Sequence, residues 1–195
     1  MTVKKGETMT LPMALNLQAV DPLPEHIARY FAVCEDKLGL VPNVLRCYTH
    51  APAKFDAFTG LYNELMLAES GLTKQEREMI AVAVSTQNHC VYCVVAHGAA
   101  LRQLSDDPVV AETIAVNYRH APLSPRHQAM LDFAVKLSVA SDRITENDRQ
   151  MLREVGFSDA DIFDIASVAA FFNMTNRVAS AVAMEPNAEY HTQAR

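Results

Sequence analysis

The sequence predicts an all-α fold, and three observations carry that reading. No segment sustains the period-two alternation of a half-buried strand. Apolar residues recur instead at threes and fours through most of the chain. Proline, glycine and capping residues punctuate those stretches at helix-length intervals. With 195 residues, 50% of them hydrophobic, the chain can bury a substantial core. It divides into an N-terminal arm (1–20), a single helical domain (21–187) and a polar tail (188–195).

The elements follow in order. Asp21-Pro22-Leu23-Pro24 opens the body, and Ile27, Phe31, Cys34 and Leu38 then mark one helical face, ended by Gly39. A short helix is expected over Val44 to Thr49. Ala51-Pro52 opens another, with Phe55, Phe58, Leu61, Leu65 and Met66 at similar spacing and Gly71 as its stop. Thr73 precedes Glu76 by three, the spacing of a capping box. The run Met79 to Val84 that follows is too apolar to be amphipathic and reads as a buried helix. Thr86-Gln87-Asn88 breaks it, and the next helix reaches about Leu104, with Asn88 as its expected N-cap. Asp106-Asp107-Pro108 begins a helix ending near Asn117. Pro122 and Pro125 bracket the entry to one running through Leu137. Thr145 to Val155 is a short helix, and Ser158 with Asp161 caps the last one, Ile162 to about Val182.

An internal echo accompanies this order. Leu72-Thr73, Met79-Ile80 and Ala83-Val84 align at a shift of 51 residues with Leu123-Ser124, Met130-Leu131 and Ala134-Val135. The second copy keeps the packing residues and loses Glu78, Cys90 and Cys93, as a duplicated unit with one active half would.

A net charge of −6 without any basic stripe argues against nucleic acid as the partner. The first twenty residues lack a continuous apolar segment, so no signal peptide or membrane span is expected and the location is read as cytoplasmic. Cys34 and Cys47 stand alone in apolar or mixed contexts and read as buried small hydrophobes.

Chemistry concentrates in Glu78 to His97. Cys90 and Cys93 have the separation that lets a pair at a helix start close a disulfide, and a helix N-terminus stabilises thiolate. His97 follows Cys93 by one turn, and Glu78 can orient it or take its proton. The constellation reads as a redox site. Haem attachment needs a His directly after the second Cys, where this chain has Val94. Zinc would need a fourth ligand from Glu78 or His89 and stays open, as do a redox sensor, a thiol-disulfide oxidoreductase and a structural pair. A thioredoxin fold is disfavoured because no βαβ series follows the motif.

His89 reads as an acidifying neighbour of Cys90 or an exposed cap residue, and Tyr92 as a helix contact. Phe171 and Phe172 read as core that can also line a pocket, Asn176-Arg177 as a buried anchor or interface pair, and His120 and His127 as solvated.

The pattern E-x11-C-x-x-C-x3-H after a buried apolar helix resembles the core motif of the alkylhydroperoxidase D-like proteins, in the carboxymuconolactone decarboxylase superfamily. The stretch F-F-N-M-T-N-R-V-A-S-A-V and the chain length resemble its peroxidase-related branch. The resemblance implies a helical fold with the CxxC at the start of a buried helix, assembled as a homo-trimer or hexamer. It implies Cys93 as the peroxidatic thiol, Cys90 as the more exposed resolving thiol, and Glu78 with His97 as a proton relay. An organic hydroperoxide would be the substrate and a lipoylated or thioredoxin-like protein the dithiol reductant. Tyr92 stands where the founding type has a second His between the cysteines.

Overall fold

The structure, a computed structural model, describes residues 11–195, so the first ten residues of the expected arm lie outside the described residues. Within it the chain forms nine α-helices joined by short loops and 3-10 turns, with no strand. In chain order these are α1 (Glu25–Leu38), α2 (Asn43–Tyr48), α3 (Pro52–Met66), α4 (Lys74–Gln87), α5 (Val91–Ser105), α6 (Pro108–Asn117), α7 (Pro125–Val139), α8 (Glu146–Glu154) and α9 (Asp159–Ala181). The all-α reading holds.

Helix α4 is the axis of the molecule. Every residue from Glu76 to Ser85 is buried, and α5, α6, α7 and α9 pack around it. The run 79–84 is apolar on all sides and has no solvent face to offer, so the helix occupies the centre. The capping box fixes its start, with Thr73 Oγ1 accepting from Glu76 N and Glu76 Oε2 accepting from Thr73 N. The other Glu76 oxygen accepts from Arg126 Nε at 2.9 Å, which ties α4 to α7. His127 Nε2 lies 3.6 Å from that oxygen, so His127 is part of this cluster and only His120 is exposed as expected.

Three local readings change. Asn88 closes α4 rather than opening α5, because the chain reverses through His89 in the left-handed region (φ 52°) and Cys90 itself becomes the N-cap of α5. Leu61 is exposed, since the buried line of α3 runs through Phe55, Phe58 and Met66 with Tyr62, a register about 100° away. Leu38 likewise ends at the solvent edge of α1.

The two ends of the described chain meet over the start of α5. Ala14 N donates to Val182 O and Glu185 N to Pro12 O, and Leu11 is buried beneath. Past α9, a 3-10 turn at Ala188–His191 is held on α5 by Arg102, whose Nη2 and Nε donate to Tyr190 O and Gln193 O at 2.7 and 2.9 Å. The echoed segments start helices at equivalent positions, Thr73 capping α4 and Ser124 capping α7.

Candidate active site

The α4–α5 turn sets the geometry of the site. Cys90 is the last non-helical residue before α5, and Cys93 lies one turn inside it. The first i→i−4 bond of α5 runs from Val94 N to the Cys90 carbonyl at 3.0 Å, so the N–H groups before it have no intrahelical acceptor. The remaining donors and the positive end of the helix dipole bear on the cysteine pair. All four cysteines are free thiols.

The pair does not behave as two ordinary thiols. The Cys93 S–H donates to the Cys90 sulfur, burial opposes that effect, and the Cys93 backbone N–H turned toward Cys90 reinforces it. Cys90 is brought down to about 6, with Ser180 and Asn176 of α9 adding to the lowering. The same shared proton, together with burial, pushes Cys93 up. The shared proton therefore favours negative charge on Cys90 over Cys93. The resemblance leads one to expect Cys90 to be the more exposed thiol. In this chain it is 1% exposed and Cys93 4%, because Met13, Val182 and Met184 close over the pair.

Glu78 and His97 come together as the spacing predicts. Glu78 Oε2 lies 2.7 Å from His97 Nδ1, with both side chains largely buried. Phe172 sets its ring edge-on to His97 at 4.6 Å, which fixes the plane of the imidazole. A cavity of about 560 Å³ opens onto this group, and its wall includes Glu78, Cys93 and His97 but not Cys90. An aromatic ladder forms one side of it, from Tyr48 stacked on Phe58 at 4.6 Å, through Phe171 at 5.7 Å, to Phe172 at 5.5 Å. Phe171 and Phe172 are thus both core and pocket wall.

Asn176 is a site residue whose role the sequence left open. Its side chain is buried, donates to Ser85 Oγ at 3.0 Å and accepts from Asn88 Nδ2 at 2.9 Å. With Thr175 beside Cys93 and Ser180 beside Cys90, it forms a polar stripe of α9 facing the thiols. The spacing of Phe172, Thr175, Asn176, Ala179 and Ser180 on one helical face was the available signal. Tyr92 is buried and accepts from Val44 N at 2.9 Å, so it joins α5 to α2 as a helix contact. His89 is exposed. Among the described residues no three His, Cys, Asp or Glu side chains converge as a metal donor set. No helix there is long and apolar enough to cross a membrane.

Fold and site together define a class: all-helical proteins with a paired-cysteine motif at the start of an inner helix and a carboxylate–imidazole pair beside it. The carboxymuconolactone decarboxylase family profile matches residues 52–134. An uncharacterized peroxidase-related protein from Silicibacter sp. TM1040 is 60% identical, with 94% of this chain and 96% of that one covered and a TM-score of 0.92. An uncharacterized peroxidase-related protein with an alkylhydroperoxidase AhpD core, from Ralstonia eutropha JMP134, is 46% identical, with 94% and 97% covered and a TM-score of 0.91. The debrominase Bmp8 shares the fold at 18% identity, with 95% and 97% covered and a TM-score of 0.76. Among curated proteins nothing matches. The chain belongs to the alkylhydroperoxidase D-like, peroxidase-related proteins of the carboxymuconolactone decarboxylase superfamily.

Proposed function

We propose that the protein is a thiol-dependent hydroperoxide reductase in which Cys93 attacks the peroxide and Cys90 resolves the product. The observation that carries this reading is the composition of the cavity wall, where Cys93, Glu78 and His97 meet one space large enough for an organic substrate. A peroxide in that space reaches Cys93 and does not reach Cys90.

Cys93 must first give up its proton. Cys90 or the His97–Glu78 pair takes it, since His97 lies one helical turn beyond Cys93. The Cys93 thiolate then attacks the outer peroxide oxygen. An S–O bond forms, the O–O bond breaks, and the alkoxide leaves as the alcohol with a proton from the relay. Cys90 attacks the resulting sulfenic acid, the S–S bond forms, and the hydroxyl leaves as water with one further proton. An external dithiol of the lipoyl or thioredoxin class exchanges with this disulfide and restores both thiols.

Burial of the pair explains why the resting thiolate survives. Closure by Met13, Val182 and Met184 keeps bulk oxidants from Cys90, while the cavity admits a chosen one to Cys93. The exposed apolar stripe Phe163, Met174 and Val178 on α9 supports assembly into a homo-oligomer. A cytoplasmic location fits the free thiols, which an oxidising compartment would threaten.

Mass spectrometry of the reduced protein treated with one equivalent of cumene hydroperoxide tests the reading. Loss of two hydrogens, mapped to a Cys90–Cys93 disulfide, with release of the alcohol, is expected. Unchanged thiols after complete mixing would overturn it.

A further inference from the structure

The cavity departs from the rest of the molecule in charge. The chain has 23 acidic and 17 basic residues, yet among the described residues the wall holds one carboxylate, Glu78 at the reacting end, against Lys37 and Lys74. Glu78 is buried, whereas both lysines are exposed, so the carboxylate lies at the floor and the ammonium groups at the mouth. Lys74 opens α4 one turn before Glu78, and Lys37 lies in the last turn of α1, one turn beyond Cys34 on the cavity wall. Neither lysine forms an ion pair among the described residues.

The interior is equally distinctive. Five of the six tyrosines line it, together with Phe58, Phe171 and Phe172. Tyr30 donates to Asn63 Oδ1 and Tyr92 accepts from Val44 N, and the other three phenols rim the space as aromatic surface with a polar tip. At about 560 Å³ the space lies well inside the ~300–1,000 Å³ of pockets built for ligands of drug size. Hydrogen peroxide or a four-carbon hydroperoxide would leave most of it empty.

Resting on the reductase reading, we infer that the cavity takes a hydroperoxide of an unsaturated long-chain carboxylic acid, with its carboxylate at Lys37 and Lys74 and its chain along the aromatic wall. The placement explains why the reacting group is deep while the cations are at the mouth. In such a molecule the hydroperoxide sits in mid-chain, a distance away from the carboxylate, and the pocket separates the two sites in the same sense. Glu78 at the floor then repels an acid entering head first and leaves the chain to reach Cys93. The alkenes and the aromatic ladder meet as apolar, polarisable surfaces.

The test separates binding from reaction. Binding of unoxidised linoleic acid and of methyl linoleate, below their aggregation concentrations, is measured by calorimetry on the full-length Cys93→Ser protein. The acid is expected to bind about tenfold more tightly than the ester, the size two partly screened ion pairs supply. The Lys37→Gln/Lys74→Gln double variant, prepared in the same background, is expected to bring that ratio to within about twofold of one. Equal binding of acid and ester by the parent, or a preference that survives in the double variant, overturns the inference. Kinetics then address the reading beneath it. If the wild type reduces cumene hydroperoxide but shows no preference for linoleic acid hydroperoxide over its methyl ester, the reductase reading stands and the substrate class falls. If the acid binds selectively and no hydroperoxide is reduced, the ligand class stands and the reductase reading falls.

Discussion

Glu78 Oε2 and His97 Nδ1 lie 2.7 Å apart across the α4–α5 packing, in a pocket where both side chains are nearly closed to water. A carboxylate held against an imidazole fixes the ring and favours the tautomer that carries its proton toward the acid, leaving the other ring nitrogen to exchange protons with a substrate or thiol. Glu78→Gln keeps the shape and removes the charge. Peroxide reduction in the variant is expected to fall by about 10²-fold or more, the scale of a lost general acid–base group. Stopped-flow rates checked against unchanged circular dichroism measure it.

The pH dependence of thiol reactivity follows from the shared proton. Cys90 is lowered to about 6 because the Cys93 S–H donates to it, so its thiolate is present above that pH and is lost below it. Ultraviolet thiolate absorbance of the reduced protein should rise with pH around a midpoint near 6, well below an ordinary thiol. In Cys93→Ala the donor is gone, and the midpoint should move up. A wild-type midpoint in the ordinary thiol range would contradict the paired description.

Much of this arrangement was legible in the residues before any coordinates. Thr73 with Glu76 and Ser158 with Asp161 announced two helix starts, and both form the reciprocal hydrogen bonds their spacing implies. Glu78 and His97 are separated by nineteen residues and a turn, yet the helix periods on either side place them on facing surfaces. Asn88 misled because a good N-cap residue also serves at a helix C-terminus. The positive φ of His89 moved the boundary by two residues and made Cys90 the cap. Asn176 was legible as a buried anchor, but that it faces the thiols with Thr175 and Ser180 was not, since those partners lie some eighty or more residues away and no local pattern marks a polar stripe as facing sulfur.

Asn176 holds three segments in one place. Its amide, on a residue only 1% exposed, joins α9 to Ser85 of α4 and to Asn88 at the turn. Asn176→Leu strands buried polar partners and is expected to cost about 1–3 kcal/mol in urea unfolding. The same variant should raise the Cys90 midpoint in the absorbance titration, because Asn176 helps to favour the thiolate.

Gly71 is needed for contact and not for an unusual backbone angle. A Cβ there would run into the Asp161 carboxylate, the group that accepts from Ser158 N and Ser158 Oγ at the start of α9. Gly71→Ala therefore displaces the Asp161 half of the capping box of the longest helix and is expected to cost about 0.5–1 kcal/mol, read as a lower urea midpoint. Gly60→Ala meets nothing within contact range and sits in the middle of α3, so it should be neutral or stabilising in the same experiment.

The shared proton favours charge on Cys90 while the cavity presents Cys93, so the decisive observation is which sulfur receives the oxygen. Single-turnover oxidation by cumene hydroperoxide, with sulfenic acid trapped by dimedone and located by peptide mass spectrometry, should be compared in Cys90→Ser and Cys93→Ser. Rapid sulfenic acid at Cys93 in the first variant, and oxidation no faster than a free thiol's in the second, is the expected result. Rapid sulfenic acid at Cys90 in the Cys93→Ser protein would contradict it and exchange the roles of the two thiols.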